Sequence, residues 1–222
     1  RRYARLRYQL FPYIYACAHE ASRTGMPLLR AMPLAFPHDP NCFDKDLQYM
    51  FGPWLLIAPI FDEGDQRNVY LPPGVWRDYW TGGMFEGPKN LDVKAPLDRI
   101  PLFVRSGAVI PMMEPANRIP VEQIDPLILD IYPSQKVFYQ FLEDEGVTTI
   151  QGGLTETGLE IAWDGPVARE FILQCHSGWE PTRASCFLEA GAEREIGWKM
   201  IEGGVVQART EMCSSATVRL RR

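Results

Sequence analysis

The stretch that decides the fold is residues 55–111, which starts LLIAPIFDEGDQRNVYLPPGVWRDYWTGG (55–83) and ends APLDRIPLFVRSGAVIP (95–111). Short runs rich in β-branched and aromatic residues alternate there with clusters of turn-forming residues. Gly supplies the positive φ that tight turns require, and Pro pre-sets φ for the first central residue of a turn. Strands this short and this closely spaced are typical of an antiparallel sandwich or barrel. The clusters are Asp62-Glu63-Gly64, Pro72-Pro73-Gly74, Thr81-Gly82-Gly83 and Ser106-Gly107.

Length and composition indicate an ordinary globular protein. The chain has 222 residues, 46% hydrophobic and 23% charged, which suffices for one large domain or two small ones. The net charge of −5 and the pI near 5.3 argue against a nucleic-acid or anionic-membrane partner. The longest apolar run, residues 54–61, is far shorter than the roughly 20 residues that cross a bilayer. We expect neither nucleic acid nor a membrane as a partner.

The start of the chain and its cysteines indicate the kind of polypeptide and the cellular compartment to which the sequence belongs. The sequence Arg1-Arg2-Tyr3-Ala4-Arg5 reads like the middle of a helix, so we expect the chain to be a piece of a longer polypeptide. The five cysteines are an odd number at irregular spacing, without a CxxC pair. This pattern favours reduced, mostly buried thiols over a disulfide framework and predicts a cytoplasmic protein.

The chain start has the pattern of one amphipathic helix over Arg1–Gly25. Pro12 is expected to kink this helix and Gly25 to end it. The apolar stripe needs a partner surface, so we predict that an uncovered stripe would cause association into oligomers. The predicted stripe consists of Leu6, Leu10, Ile14, Cys17, Ala18 and Ala21.

The next segment reads as a buried strand followed by a loop. Residues 26–36, MPLLRAMPLAF, are almost wholly apolar, which predicts a strand buried on both faces. Residues 37–44 then form a loop, and Asp44 is a candidate cap for a short helix through Met50.

The rest of the chain reads as β-structure in two parts. Proline crowding between Pro111 and Pro126 indicates a connecting segment, and we place a domain boundary near Ile124. The second part, with its short alternating runs, predicts a second sandwich. The predicted strands are 55–61, 68–71, 75–80, 102–105, 108–110, 127–131, 137–142, 147–150, 159–163, 170–175, 185–188, 197–201, 205–208 and 217–220.

Few residue patterns point to chemistry. His19, His38 and His176 are far apart and form no zinc pattern. Residues 143–146, Glu-Asp-Glu-Gly, fail the calcium-loop spacing, so an acidic hairpin turn is favoured over a cation site of another kind. Dinucleotide, P-loop and serine-nucleophile motifs do not occur. We therefore predict no cofactor, no metal and no catalytic residue in this chain.

The aromatic cluster Trp76, Tyr79, Trp80 and Phe85 allows two interpretations. Exposed Trp and Tyr faces can stack on sugar rings, which makes Trp76 and Trp80 candidates for sugar stacking. Period-two alternation puts these two on one strand face, with Tyr79 opposite. Aromatic residues also dominate small sandwich cores, and core packing is the favoured interpretation.

Several long motifs, in order, resemble glycoside hydrolase family 31. Residues 1–61 resemble the end of the family's catalytic domain, and VYLPPGVWRDYWTGG with PLDRIPLFVRSGAVIP resembles its proximal C-terminal β-domain. FYQFLEDEGVTT resembles its distal C-terminal β-domain. Within the family, Arg30-Ala31-Met32, FPHDP (36–40) and DLQYM (46–50) are most similar to the α-xylosidase branch, with the α-glucosidases next.

The resemblance implies a mainly β fold: the last helix and strand of a (β/α)8 barrel, then two antiparallel β-sandwich domains. The implied boundaries are 1–40 for the barrel end, 41–124 for the proximal domain and 125–222 for the distal domain, with residues 28–34 as the eighth barrel strand. Because barrel active sites lie at strand C-terminal ends, Arg30, Met32 and Phe36 are candidates for the margin of the substrate pocket, with packing as the favoured role.

The implied activity is retaining hydrolysis of terminal α-xylosidic or α-glucosidic bonds, with an oligosaccharide or glycoside as substrate. The resemblance puts both catalytic aspartates upstream of Arg1, so this segment alone is expected to be inactive. The rival hypothesis is a non-catalytic module that binds carbohydrate or forms oligomers.

Overall fold

The computed structural model describes residues 2–116, 118–119, 123–188 and 193–222. These residues form two compact units. One unit is Thr24–Ser106; the other combines the residues up to Arg23 with Gly107–Arg222. In the described ranges, no helix is long and apolar enough to cross a membrane. None of the five cysteines, which all lie in the described ranges, forms a disulfide, and four of them are buried, as predicted for mostly buried thiols.

The chain begins with two consecutive helices, α1 (Arg2–Gln9) and α2 (Phe11–Thr24). The interruption falls at Leu10, two residues before Pro12, which confirms the predicted kink. Gly25 has φ of +75° directly after α2, and this left-handed conformation ends the helix as predicted.

The buried face of these helices differs from the predicted stripe. Leu10 and Cys17 are buried as expected, but Ala18 is exposed while Tyr13 and Ala16 are buried. The buried residues Tyr13, Ala16 and Cys17 recur at steps of three, one and four residues, so the face of α2 that packs is rotated relative to the predicted stripe. Leu6 and Ile14 are half-buried. Association through the helix stays a prediction.

The unit Thr24–Ser106 contains one six-stranded antiparallel sheet. Its strands, in sheet order, are β1 (Leu29–Ala31), β2 (Tyr49–Phe51), β3 (Leu55–Ile57), β6 (Leu102–Arg105), β4 (Gln66–Asp78) and β5 (Met84–Lys94). A short helix α3 (Met32–Ala35) and a 3₁₀ helix (Pro40–Cys42) connect β1 to β2. The core of this unit contains Met32, Leu56, Val69, Trp76 and Phe103.

The structure corrects four local predictions in this unit. The strand predicted over residues 26–36 is only β1, followed by α3, and Leu29 is 59% exposed. The helix predicted through Met50 is absent from these described residues, because residues 49–51 pair with β1 and β3. Pro72-Pro73-Gly74 lies at a register shift inside β4 and does not separate two strands. Strand β5 was not predicted.

The other unit consists of a two-sheet sandwich together with the N-terminal helices α1 and α2. One sheet has the order β14 (Glu193–Glu195), β13 (Arg183–Leu188), β17 (Cys213–Arg221), β11 (Gly158–Arg169), β10 (Gly146–Thr155) and β9 (Val137–Glu143). The second has the order β15 (Trp198–Ile201), β16 (Val205–Arg209), β12 (Phe171–Cys175), β8 (Leu127–Ile131) and β7 (Val109–Met112).

Pairing in this sandwich is antiparallel except between β8 and β12, which run parallel. Trp163 and Phe171 pack in the core with ring centroids 4.6 Å apart. The mainly β fold class is confirmed. The boundaries at residues 40 and 124 stay predictions. They were drawn between the domains of a family, whereas the two compact units are defined by contacts within this chain. Strand β7, which precedes residue 124, pairs with β8, which follows it.

Candidate functional site

The three predicted pocket-margin residues lie on β1, on α3 and directly after it. Arg30 is 8% exposed, and its Nε donates a hydrogen bond of 3.0 Å to the carbonyl oxygen of Pro27. Met32 is fully buried. Phe36 is half-buried, with its ring edge-to-face against Trp76 at 6.2 Å between centroids. The structure thus brings Met32, Phe36 and Trp76 into one core, and the role of Arg30, Met32 and Phe36 at a pocket margin stays a prediction.

A surface depression of about 330 Å³ lies against the other face of β1. Successive side chains of a strand point to opposite faces, so Leu29 and Ala31 face away from Arg30. This depression was not predicted from the sequence. The alternation within LLRAMP was the available signal, and the apolar character of the run obscured it. The lining residues are Leu29, Ala31, Pro33, Phe43, Lys45, Asp46, Gln48 and Tyr49.

The loop after α3 is held by Asp39. Oδ1 of Asp39 accepts hydrogen bonds from the backbone N–H and side-chain Nδ2 of Asn41, at 3.1 and 3.0 Å. Oδ2 accepts from the Tyr70 hydroxyl at 2.7 Å, and the Cys42 thiol lies 3.7 Å away. Burial pushes the pKa of Asp39 upward, but these hydrogen bonds outweigh it and leave the pKa below its ordinary value. A carboxylate so fully engaged organises the loop and is not poised as a base.

Two groups next to Asp39 have raised pKa values, because they are buried and because they contact its carboxylate. Burial and the hydrogen bond to Asp39 raise the pKa of Tyr70 to about 12. Burial and the Asp39 charge raise the pKa of the Cys42 thiol to about 12. Both groups are therefore neutral at physiological pH, and the network carries a single charge.

Gln48 fastens the far end of this loop to β4. Its Nε2 donates to the Tyr70 carbonyl at 2.8 Å, and its Oε1 accepts from the Tyr70 N–H at 2.9 Å. The side chain therefore substitutes for a neighbouring strand, and the loop between α3 and β2 has a fixed path.

The structure separates the two predicted sugar-stacking residues. Trp76 is 0% exposed and donates from Nε1 to the Pro72 carbonyl at 2.8 Å, so it has no free ring face and the core interpretation holds for it. Trp80 is half-buried, donates from Nε1 to Ile100 at 2.7 Å, and packs edge-to-face on Tyr79 at 5.0 Å. Stacking of a sugar on Trp80 stays a prediction.

The acidic residues 143–146 form the predicted hairpin turn between β9 and β10, where Glu143 pairs with Gly146. Asp144 at its tip accepts a hydrogen bond of 2.8 Å from the Tyr15 hydroxyl and lies 3.3 Å from Nε2 of His19. Both partners are on α2. Within the described part of the chain, no group of three or more His, Cys, Asp or Glu side chains is arranged to hold a metal ion.

The family model described as "Glycosyl hydrolase family 31 C-terminal domain" matches residues 25–110. An alpha-xylosidase from Saccharolobus solfataricus is 42% identical over 149 residues, which are 66% of this chain and 20% of that protein. Alpha-glucosidase 2 from Bacillus thermoamyloliquefaciens is 33% identical over 67% of this chain and 19% of its own length.

Solved structures superpose on almost the whole of this chain. A GH31 dextranase from Flavobacterium johnsoniae, complexed with glucose, superposes with a TM-score of 0.87 at 27% identity. That match covers 98% of this chain and 32% of the dextranase chain. This chain therefore spans about a fifth of the length of each of these two curated relatives and about a third of the dextranase chain.

Proposed function

Because this chain belongs to glycoside hydrolase family 31 as its C-terminal portion, we propose that it is part of a retaining α-glycosidase that hydrolyses terminal α-xylosidic or α-glucosidic bonds. The observation that carries the proposal is the agreement between the family match over residues 25–110 and the structural match over 98% of the chain. The substrate is an oligosaccharide or glycoside.

The chemistry proposed for the whole enzyme needs two carboxyl groups that flank the scissile bond. In retaining glycosidases these groups are about 5–5.5 Å apart, one acting as nucleophile and the other as acid and base. We assign both to residues outside this chain. Asp39, the buried carboxylate nearest to the proposed pocket margin in sequence, is already engaged by Tyr70, Asn41 and Cys42.

This chain contributes structure to the proposed enzyme. The fixed loop between α3 and β2 follows directly on Arg30, Met32 and Phe36, the proposed pocket-margin residues. Asp39 and Gln48 tie the two ends of that loop to Tyr70 on β4. We infer that the sheet of the Thr24–Ser106 unit holds this segment in place. The four buried thiols support a reducing, cytoplasmic setting.

The choice between xyloside and glucoside is tested on the full-length enzyme. Aryl α-xyloside and aryl α-glucoside are compared by kcat/KM, and the released sugar is followed by proton NMR. We expect a measurable rate on at least one of the two and the α-anomer as the first product. Release of the β-anomer first, or hydrolysis of aryl β-glycosides alone, would contradict the proposal.

A further inference from the structure

The sheet of β15, β16, β12, β8 and β7 has one face that is polar at the β15 end. Ile172 lies opposite Arg209, and Gln174 lies opposite Gln207, across the β12–β16 pair. Lys199 on β15 lies opposite Gln207. Alternate residues share a face, so these five side chains lie on the same side of the sheet.

The residues between them face the other way and are buried in the sandwich. Leu173, Cys175 and Ala208 are each about 1% exposed. By contrast, Gln174 and Gln207 are half-buried and Lys199 and Arg209 are exposed. The polar side chains are therefore accessible and are not part of the core.

A groove of about 380 Å³ lies on this face, within the usual range of about 300–1,000 Å³ for ligand sites. It combines an aliphatic residue, Ile172, with hydrogen-bonding side chains. Trp198 also borders the groove, but it lies opposite Ala208, so its side chain alternates to the other side of the sheet. The hydrogen-bonding side chains that line it are Glu114, Lys199, Gln207 and Arg209.

Arg209 is held in place by a carboxylate. Its Nη2 donates to Oε2 of Glu170 at 2.6 Å, and its Nε donates to Oε1 of the same side chain. A bidentate pair of this kind fixes the plane of the guanidinium group. The pair uses two of the five guanidinium N–H donors. Because the plane of the group is fixed, the other three N–H groups point in fixed directions.

The charges that line the groove balance once the ion-pair partner of Arg209 is included. Glu170 neutralises Arg209, and the remaining charged lining groups are Lys199 and Glu114, one of each sign. A phosphate or carboxylate ligand would meet Glu114, and a cationic ligand would meet Lys199. The balance favours a neutral ligand that carries many hydroxyl groups.

We propose that this groove binds a neutral saccharide segment, with Gln207, Lys199 and Arg209 donating to its hydroxyl groups and Ile172 contacting its apolar face. The choice of a saccharide among neutral ligands rests on the proposed function. The groove itself rests on the register, burial and charges given above.

The test is affinity electrophoresis of the full-length protein in gels that contain dextran, xyloglucan or dextran sulfate. Gln207→Ala and Lys199→Ala remove one groove side chain each. Met200→Ala is the matched control, since Met200 lies on the same strand, is 38% exposed and does not line the groove. Loss of one hydrogen bond is expected to weaken dextran or xyloglucan binding about three- to tenfold.

Retardation by a neutral glucan that weakens in Gln207→Ala and Lys199→Ala, but not in Met200→Ala, supports the proposal. No retardation of the wild type, equal retardation of all variants, or retardation by dextran sulfate alone overturns it. Thermal unfolding of each variant checks its fold, and the exposed Lys199 gives a variant that leaves the core untouched. Hydrolysis of an aryl α-glycoside, measured on the same preparations, tests the proposed function separately.

Discussion

The Tyr70 hydroxyl donates a hydrogen bond of 2.7 Å to Oδ2 of Asp39, across 31 residues of sequence. This bond joins the start of the loop after α3 to the middle of β4. Gln48 joins the end of the same loop to the backbone of Tyr70. One tyrosine therefore fixes both ends of the segment that follows the candidate pocket margin.

The first prediction concerns the acid stability that Asp39 confers. Its pKa is lowered in the folded protein, so its stabilising contribution is present above the ordinary value of 3.8 and is lost as the pH falls through the lowered pKa. Asp39→Asn should lower the free energy of unfolding at neutral pH by about 1–3 kcal/mol. It should also flatten the pH dependence below about pH 4, as measured by urea unfolding from pH 2 to 7.

Asp46→Asn is the control for this experiment, because Asp46 is an exposed carboxylate in the same loop. Its effect should stay within about 0.5 kcal/mol. Equal effects of the two substitutions at neutral pH would show that the hydrogen bonds to Asp39 do not stabilise the loop.

The second prediction compares two ion pairs of equal length. Arg169 and Glu143 are 2.7 Å apart, with side chains 1% and 14% exposed; Arg194 and Glu211 are also 2.7 Å apart but 57% and 68% exposed. Glu143→Gln leaves a buried guanidinium unpaired and should cost about 3–5 kcal/mol. Glu211→Gln should cost at most about 1 kcal/mol. Chemical denaturation measures the loss of unfolding free energy in both variants. Similar losses would contradict the role assigned to burial.

The third prediction tests the β4–β5 pair. Gly87 on β5 lies opposite Gly74, and a Cβ at Gly87 would lie 2.1 Å from the carbonyl oxygen of Pro72. Gly87→Ala therefore forces the two strands apart and should destabilise the protein by about 1–3 kcal/mol or more. A Cβ at Gly64 meets nothing within 4 Å, so Gly64→Ala should be nearly neutral. Equal thermal unfolding midpoints for the two variants would contradict the close approach of Gly87 to Pro72.

The fourth prediction concerns thiol reactivity. Cys213 is half-buried, whereas Cys17, Cys42, Cys175 and Cys186 are buried. Burial raises the pKa of Cys42 to about 12 and that of Cys186 to about 11, which keeps these thiols protonated and inert near neutral pH. Iodoacetamide labelling followed by mass spectrometry should modify Cys213 first in the native protein, and all five after unfolding. Rapid native labelling of Cys42 would contradict the structure of the Asp39 network.

Strands with dense apolar residues were the part of the fold that the sequence predicted well. The runs Leu102–Arg105 and Leu127–Ile131 are strands with the predicted bounds. In β5, MFEGPKNLDVK, apolar residues are sparse and Gly87-Pro88 reads as a turn. That strand forms because it pairs with β4 along almost its whole length, and pairing across a hairpin is not visible in the local composition.

Local signals also misled where distant contacts decide the structure. Asp44 looked like a helix cap, but the residue that caps is Asp39, and residues 49–51 are held by β1 and β3. The network around Asp39 depends on Tyr70, far along the chain, so no local pattern could reveal it. The candidate margin residues Arg30, Met32 and Phe36 came from family resemblance, and alternation along β1 explains why Leu29 and Ala31, not Arg30, line the open depression.

The central proposal is that this chain supports an α-glycosidase whose catalytic carboxylates lie outside it. The most direct measurement compares release of nitrophenol from aryl α-xyloside and α-glucoside by the full-length enzyme and by residues 1–222 alone. We predict turnover by the full-length enzyme and none above the buffer rate by residues 1–222. Hydrolysis by residues 1–222 alone, or no hydrolysis of either glycoside by the full-length protein, would contradict the account.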